Sequence, residues 1–130
     1  MRDGPYVPST KYSVGDNKIS DGKAVEVTVP QNTTLKAGDL TLLDGFFGVV
    51  PVNVTTGAGE TASIALQIGQ FEYSTDQITV AQAFAKGTKV YWDATNKVLI
   101  ETASTNRLAG IVTTTKNGSN VIDFLLGPQI

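Results

Sequence analysis

Between Lys23 and Leu126 the chain is cut into short apolar runs by Gly, Asn, Asp and Ser, and helical periodicity never persists beyond about two turns. That punctuation favours strands. "AVEVTV" (24–29) puts Val25, Val27 and Val29 on one face and Glu26 and Thr28 on the other, as a half-buried strand does. "LTLL" (40–43), the turn Asp44-Gly45 and "FFGVVPVNV" (46–54) follow. Within the last run, Gly48 suggests a bulge or a close backbone approach, and Pro51 suggests an edge position. "TASIALQIGQFEY" (61–73) alternates through Ile64, Leu66 and Ile68 and continues to Phe71 and Tyr73. "TKVYW" (88–92), "VLIE" (98–101), "LAGIVTT" (108–114) and "VIDFLL" (121–126) complete the series.

One segment breaks the pattern. In "STDQITVAQAFAKG", Val80, Ala83 and Phe84 have 3-4 spacing and Gly87 stands where a left-handed residue would stop a helix. The spacing predicts a short helix over about 79–86. The expected fold is therefore all-β: a small β-barrel or β-sandwich of about ten short strands, with one short helix plugging an end or covering an edge. Residues 1–22 hold two prolines and three glycines without periodicity, and read as an extended N-terminal arm ahead of a domain over 23–130.

A chain of 130 residues fits one domain that buries roughly two-thirds of its unfolded surface. Only 17% of residues are charged, against about 25% in ordinary globular proteins. Hydroxyl and amide side chains must supply much of the solubility, and such a surface meets a partner at little desolvation cost. The net charge is −2 and the 10 basic residues are scattered singly, which argues against a nucleic-acid partner. No apolar run approaches about 18 residues, so no membrane helix is expected, and "MRDGPYVPST" lacks the apolar centre of a signal peptide.

Histidine and cysteine are both missing, which removes the commonest general base, the commonest metal ligand and all thiolate chemistry. Neither G-x-S-x-G nor an acidic calcium loop is present. Gly22-Lys23 is followed by Ala24 and has Asn17 where a phosphate-binding loop needs its first glycine. Asp39 and Asp44 flank a strand too far apart to converge, and Glu72 and Asp76 read as turn-flanking, solvent-facing residues. The sequence thus offers no catalytic residue, no metal site and no cofactor site.

The chain's single tryptophan lies in "KGTKVYWDATNKV" (86–98). In a strand, Val90 and Trp92 face one way, and Lys89, Tyr91 and Asp93 the other. Trp92 is expected in the core or in a core shared between subunits. "DATNK" reads as a turn with Asp93 accepting backbone N–H bonds and Asn96 tolerating the left-handed conformation. Trp92, Tyr91, Phe47 and Phe71 are the candidates for core or subunit interface.

Taken in order, "LKAGDLTLLDGFFGVV", "GETASIALQIGQFEY", "AFAKGTKVYWDATNKVL" and "NRLAGIVTTT" resemble the capsid cement, or head decoration, proteins of tailed phages. Members of that family are often mislabelled as RecA/RadA-type recombinases. The likeness spans about residues 22–127. Its most specific pieces are Gly87, Val90, Tyr91, Trp92 and Asp93; Phe47, Gly48 and Val49; and Leu108, Gly110, Ile111 and Val112. The resemblance implies a β-rich virion protein on the capsid exterior, partnered by the major capsid protein and reinforcing its lattice, with neither catalysis nor cofactor. A homo-oligomer, dimer or trimer, is expected with it. The recombinase label finds no physical support, since strand exchange needs a nucleotide site and a basic groove.

The long arm departs from the family pattern. Extended, about twenty residues reach on the order of 60 Å, and Arg2, Tyr6, Val7, Lys11 and Tyr12 are its candidate capsid contacts. The rival reading is a receptor- or glycan-binding module of a tail or fibre, in which Tyr91, Trp92 or Tyr73 would stack on sugar. An enzyme would need two carboxylates facing each other in a cleft.

Overall fold

The computed structural model describes residues 19–129. Eleven strands follow one another: β1 (Ala24–Val29), β2 (Thr34–Leu35), β3 (Leu40–Leu43), β4 (Phe46–Val49), β5 (Val54–Thr55), β6 (Ala62–Gln67), β7 (Glu72–Thr75), β8 (Lys89–Asp93), β9 (Val98–Ile100), β10 (Arg107–Thr114) and β11 (Ile122–Leu126). They form a four-stranded sheet in the order β1-β6-β4-β3, a five-stranded sheet in the order β7-β11-β10-β8-β9, and the small pair β2-β5. Every pairing between named strands is antiparallel.

Alternation explains which faces are buried. On β1, Val27 and Val29 are buried while Glu26 and Thr28 are exposed. Val27, Val29, Val50, Ile64 and Leu66 form one core. A second, larger core lies against the five-stranded sheet, with Phe84, Val90, Trp92, Leu99, Val112, Phe124 and Leu126 among its members. β4 serves both: Phe47 and Val49 enter the larger core, and Phe46 packs against the smaller one. A strand buried on both faces has no room for a side chain everywhere. A Cβ at Gly48 would stand 2.3 Å from the Gln67 carbonyl oxygen, the close backbone approach its position suggested.

Two expectations are corrected. Among the described residues there is no helix, and 79–86 is a loop. Of the three side chains meant to share a helix face, Phe84 is fully buried but Val80 and Ala83 are exposed. The loop's backbone finds partners outside itself. Phe84 N–H donates to Glu101 Oε2 at 2.7 Å, and Lys116 Nζ donates to the carbonyls of Val80 and Gln82, each at 2.6 Å. Ile78 meanwhile bridges β9 at Leu99. Tertiary bonds thus replace the i→i−4 ladder that the propensity suggested. Gly87 does have a positive φ of 88°, but it closes a turn.

Nor does a closed barrel form. The outer strands of the four-stranded sheet, β1 and β3, do not pair; the gap is spanned by Asp44 Oδ2, which accepts the Thr28 N–H at 2.8 Å. Two long apolar runs are also split. Pro51 separates β4 from β5, and the stretch around Gly69 separates β6 from β7, which join different sheets.

Candidate interaction surface

Trp92 lies in the larger core, 3% exposed, with its ring centroid 5.2 Å from that of Phe47. Phe47 is buried as well, so both are core residues. Tyr91, one residue along β8, is half-buried on the opposite face of the strand. Phe71 is 47% exposed, edge-on to Tyr73 and with Lys23 Nζ 5.9 Å from its ring centre. The phenol of Tyr73 is pushed above its ordinary value by burial. The structure therefore separates the aromatic candidates: two pack the core, and two lie nearer solvent. Arg2, Tyr6, Val7, Lys11 and Tyr12 lie outside the described residues.

The carboxylates have local duties. Asp93 Oδ1 accepts the N–H groups of Thr95 and Asn96, while Oδ2 accepts Asn96 Nδ2 at 2.9 Å. The side-chain bond from Asn96, aided by its backbone N–H, holds this carboxyl below the usual range. The left-handed residue of this turn is Lys97, with φ 56°, rather than Asn96. Asp39 Oδ2 accepts the Lys36 N–H at 2.8 Å. Among the described residues, no group of three or more acidic side chains converges on a metal-sized space.

What remains for recognition is the outer face of the five-stranded sheet. Register places Glu72, Leu125, Ile111 and Lys89 directly opposite one another on β7, β11, β10 and β8. All four are exposed, Ile111 by 38% and Leu125 by 37%. A bulge at Ala109 keeps Leu108 paired with Tyr91, so the apolar stripe continues beside the row. A shallow groove of about 200 Å³ runs there, lined by Leu108, Ile111, Leu125 and Pro128 with Gln70 and Lys89 at its rim. A second cleft, of about 460 Å³, lies between β2 and β3 beside Gln77 and Lys97. Neither carries an aromatic side chain, and Trp92 cannot stack on a sugar from inside the core.

The row was missed in the sequence, although a signal for it existed. In "LAGIVTT" and "VIDFLL" the positions opposite the core residues Val112 and Phe124 are Ile111 and Leu125, apolar where a solvated face would be polar.

A sequence profile of phage cement proteins matches residues 19–126. The chain belongs to the phage cement protein family. No curated protein and no solved structure matches it significantly. As a member of this family it is a structural, capsid-associated phage protein of the virion. The matched segment contains every strand of the described residues, so the familial part is the body of three sheets, and the outer row Glu72–Leu125–Ile111–Lys89 lies wholly within it.

Proposed function

We propose that this protein fastens to the exterior of an assembled phage capsid and stabilises the lattice of its major capsid protein, with no catalytic step. The observation that carries this reading is membership of the cement family across the whole strand-bearing segment. Physical features agree with it. The body has two apolar cores and no buried side-chain polar atom without a partner among the described residues, as a stiff module requires. Low charge keeps desolvation cheap at a protein contact. Modest contacts per copy are multiplied when a module bridges neighbouring units of a repeating shell.

Residues 1–22 serve as the arm and 23–130 as the capsid-bound domain, with Arg2, Tyr6, Val7, Lys11 and Tyr12 reaching the shell. In support of a domain that includes Lys23, its carbonyl accepts the N–H groups of Ile68 and Gly69. Purified capsids lacking this protein should bind the full chain and gain resistance to heating. A chain without residues 1–22 should keep its circular-dichroism melt and bind at least about tenfold more weakly, as expected when one of two linked contacts is lost. Failure of the full chain to bind, or virions that lack the polypeptide, would overturn the reading. Undiminished binding by the truncated chain would remove the arm from it.

A further inference from the structure

The row across the outer face of the five-stranded sheet runs Lys89, Ile111, Leu125, Glu72: a cation, two apolar side chains and an anion on adjacent strands. At ordinary interstrand spacing the backbones of Lys89 and Glu72 are about 14 Å apart, and no ion pair joins the two side chains among the described residues. Lys89 Nζ has no hydrogen-bond or ion-pair partner among the described residues, and the Glu72 carboxylate reaches across β11 to accept the Thr113 hydroxyl of β10 at 2.5 Å. The order of the row is the notable feature, because it is complementary to itself.

We infer that this face is a two-fold interface with a second copy of the same chain. Consider an axis lying in the plane of contact, parallel to the strands and midway between β10 and β11. It lays β10 of one copy over β11 of the other, and β8 over β7. Ile111 then meets Leu125 of the second copy, and Lys89 meets its Glu72. Each contact occurs twice, as an isologous interface demands. The same rotation carries Leu108 and Tyr91 toward the second copy's Gly127, Pro128 and Gln70, which line the groove beside the row. Face-to-face sheets pack about 10 Å apart through interdigitating side chains, and β-branched or γ-branched residues at the centre suit that separation. A capsid subunit or the arm of the same chain would need no such symmetry in the row. The charged ends close over an apolar centre, the arrangement of rim and core in a protein interface.

This dimer is a property of the purified chain and is read without capsids, so its failure leaves the cement reading standing. Sedimentation of the full chain should show a monomer–dimer equilibrium. Lys89→Glu alone, or Glu72→Lys alone, sets like charges face to face twice and should weaken dimerisation at least about tenfold. The combined Lys89→Glu/Glu72→Lys chain restores both pairs and should recover the parent's affinity. Ile111→Lys should leave only monomer. All four positions are exposed, and unchanged thermal melts would confirm that each variant folds. A monomer at every concentration, a dimer indifferent to the single swaps, or no recovery in the double swap would each overturn the inference. So would variants that keep the parent's mass but lose capsid attachment, which assigns the face to the shell. A dimer that appears only on removal of residues 1–22 would assign the face to the arm and overturn the inference equally.

Discussion

Gly48 is fixed by what lies against its backbone. Its β-strand is buried on both faces, and the Gln67 carbonyl oxygen occupies the space where a side chain would begin, 2.3 Å from a Cβ. The obstacle is backbone of β6, which cannot swing aside as a side-chain tip can. Gly48→Ala should therefore cost about 1–3 kcal/mol, the usual range for overpacking a filled interior, read as a lowered urea midpoint at unchanged slope. Gly118 has open space around it and makes the control: Gly118→Ala should stay within about 0.5 kcal/mol of the parent. Equal behaviour of the two variants would sink the close-approach argument. At this scale the sequence was informative where one residue type has one use. A glycine inside an apolar run suggested a bulge or a close approach, of which the structure has the approach, and a lone tryptophan in an alternating strand suggested a core or a shared core, with Trp92 3% exposed in this chain. Gln129 and Gln77 carried no such signal, because an amide side chain suits surface and seam equally well.

Among the elements, the β8–β9 hairpin shows how a local bond becomes a pH dependence. Asp93 is held below the ordinary carboxylate value chiefly by the Asn96 side chain, with further help from backbone N–H groups. A carboxyl whose folded value is depressed stabilises the fold fully above its unfolded value, and that contribution is lost as pH falls through the folded one. Asp93→Asn should flatten the acid limb of a plot of urea midpoint against pH, and Asn96→Ala should flatten it partly. A parental slope in Asp93→Asn would place the acid sensitivity elsewhere. Most strands were legible because their alternation is strict and their turns carry Gly, Asn or Asp. β2 was missed because its two residues pair with only two on β5, too short for any period. The helix over 79–86 was expected from three apolar residues, yet only Phe84 is pulled inward, and Glu101 and Lys116 satisfy the backbone that a helix would have satisfied itself.

The whole molecule depends on how its two larger sheets are joined, which strand patterning alone does not reveal. Within the four-stranded sheet itself β4 and β6 share a single registered pair, Val49 with Gln67. Beyond it the side chain of Gln129, just after β11, takes the place of a ladder: Phe47 N–H donates to its Oε1 at 3.2 Å, and its Nε2 donates to the Phe47 carbonyl at 2.8 Å. Arg107 steadies this amide by donating to its backbone carbonyl and to Oε1. Gln77 repeats the device at the edge of β3, where Leu40 N–H donates to Oε1 and Nε2 donates back to the Leu40 carbonyl, both at 2.9 Å. Its own backbone carbonyl accepts the Leu99 N–H of β9. Two glutamines thus imitate a strand's paired donor and acceptor and tie one sheet to the other. Truncating either to alanine should cost about 1–3 kcal/mol, since a part-buried backbone pair loses both partners, and the two losses should add to the extent that the two amides share no hydrogen-bond partner. Gln77→Glu separates imitation from mere space-filling. At neutral pH its carboxylate can accept from Leu40 but cannot donate to the Leu40 or Lys97 carbonyl, so it should destabilise at least as much as alanine. On acidification the protonated acid regains one donor, and the deficit relative to the parent should shrink. A Gln77→Glu chain as stable as the parent at neutral pH would mean that the amide's donation does not join the sheets.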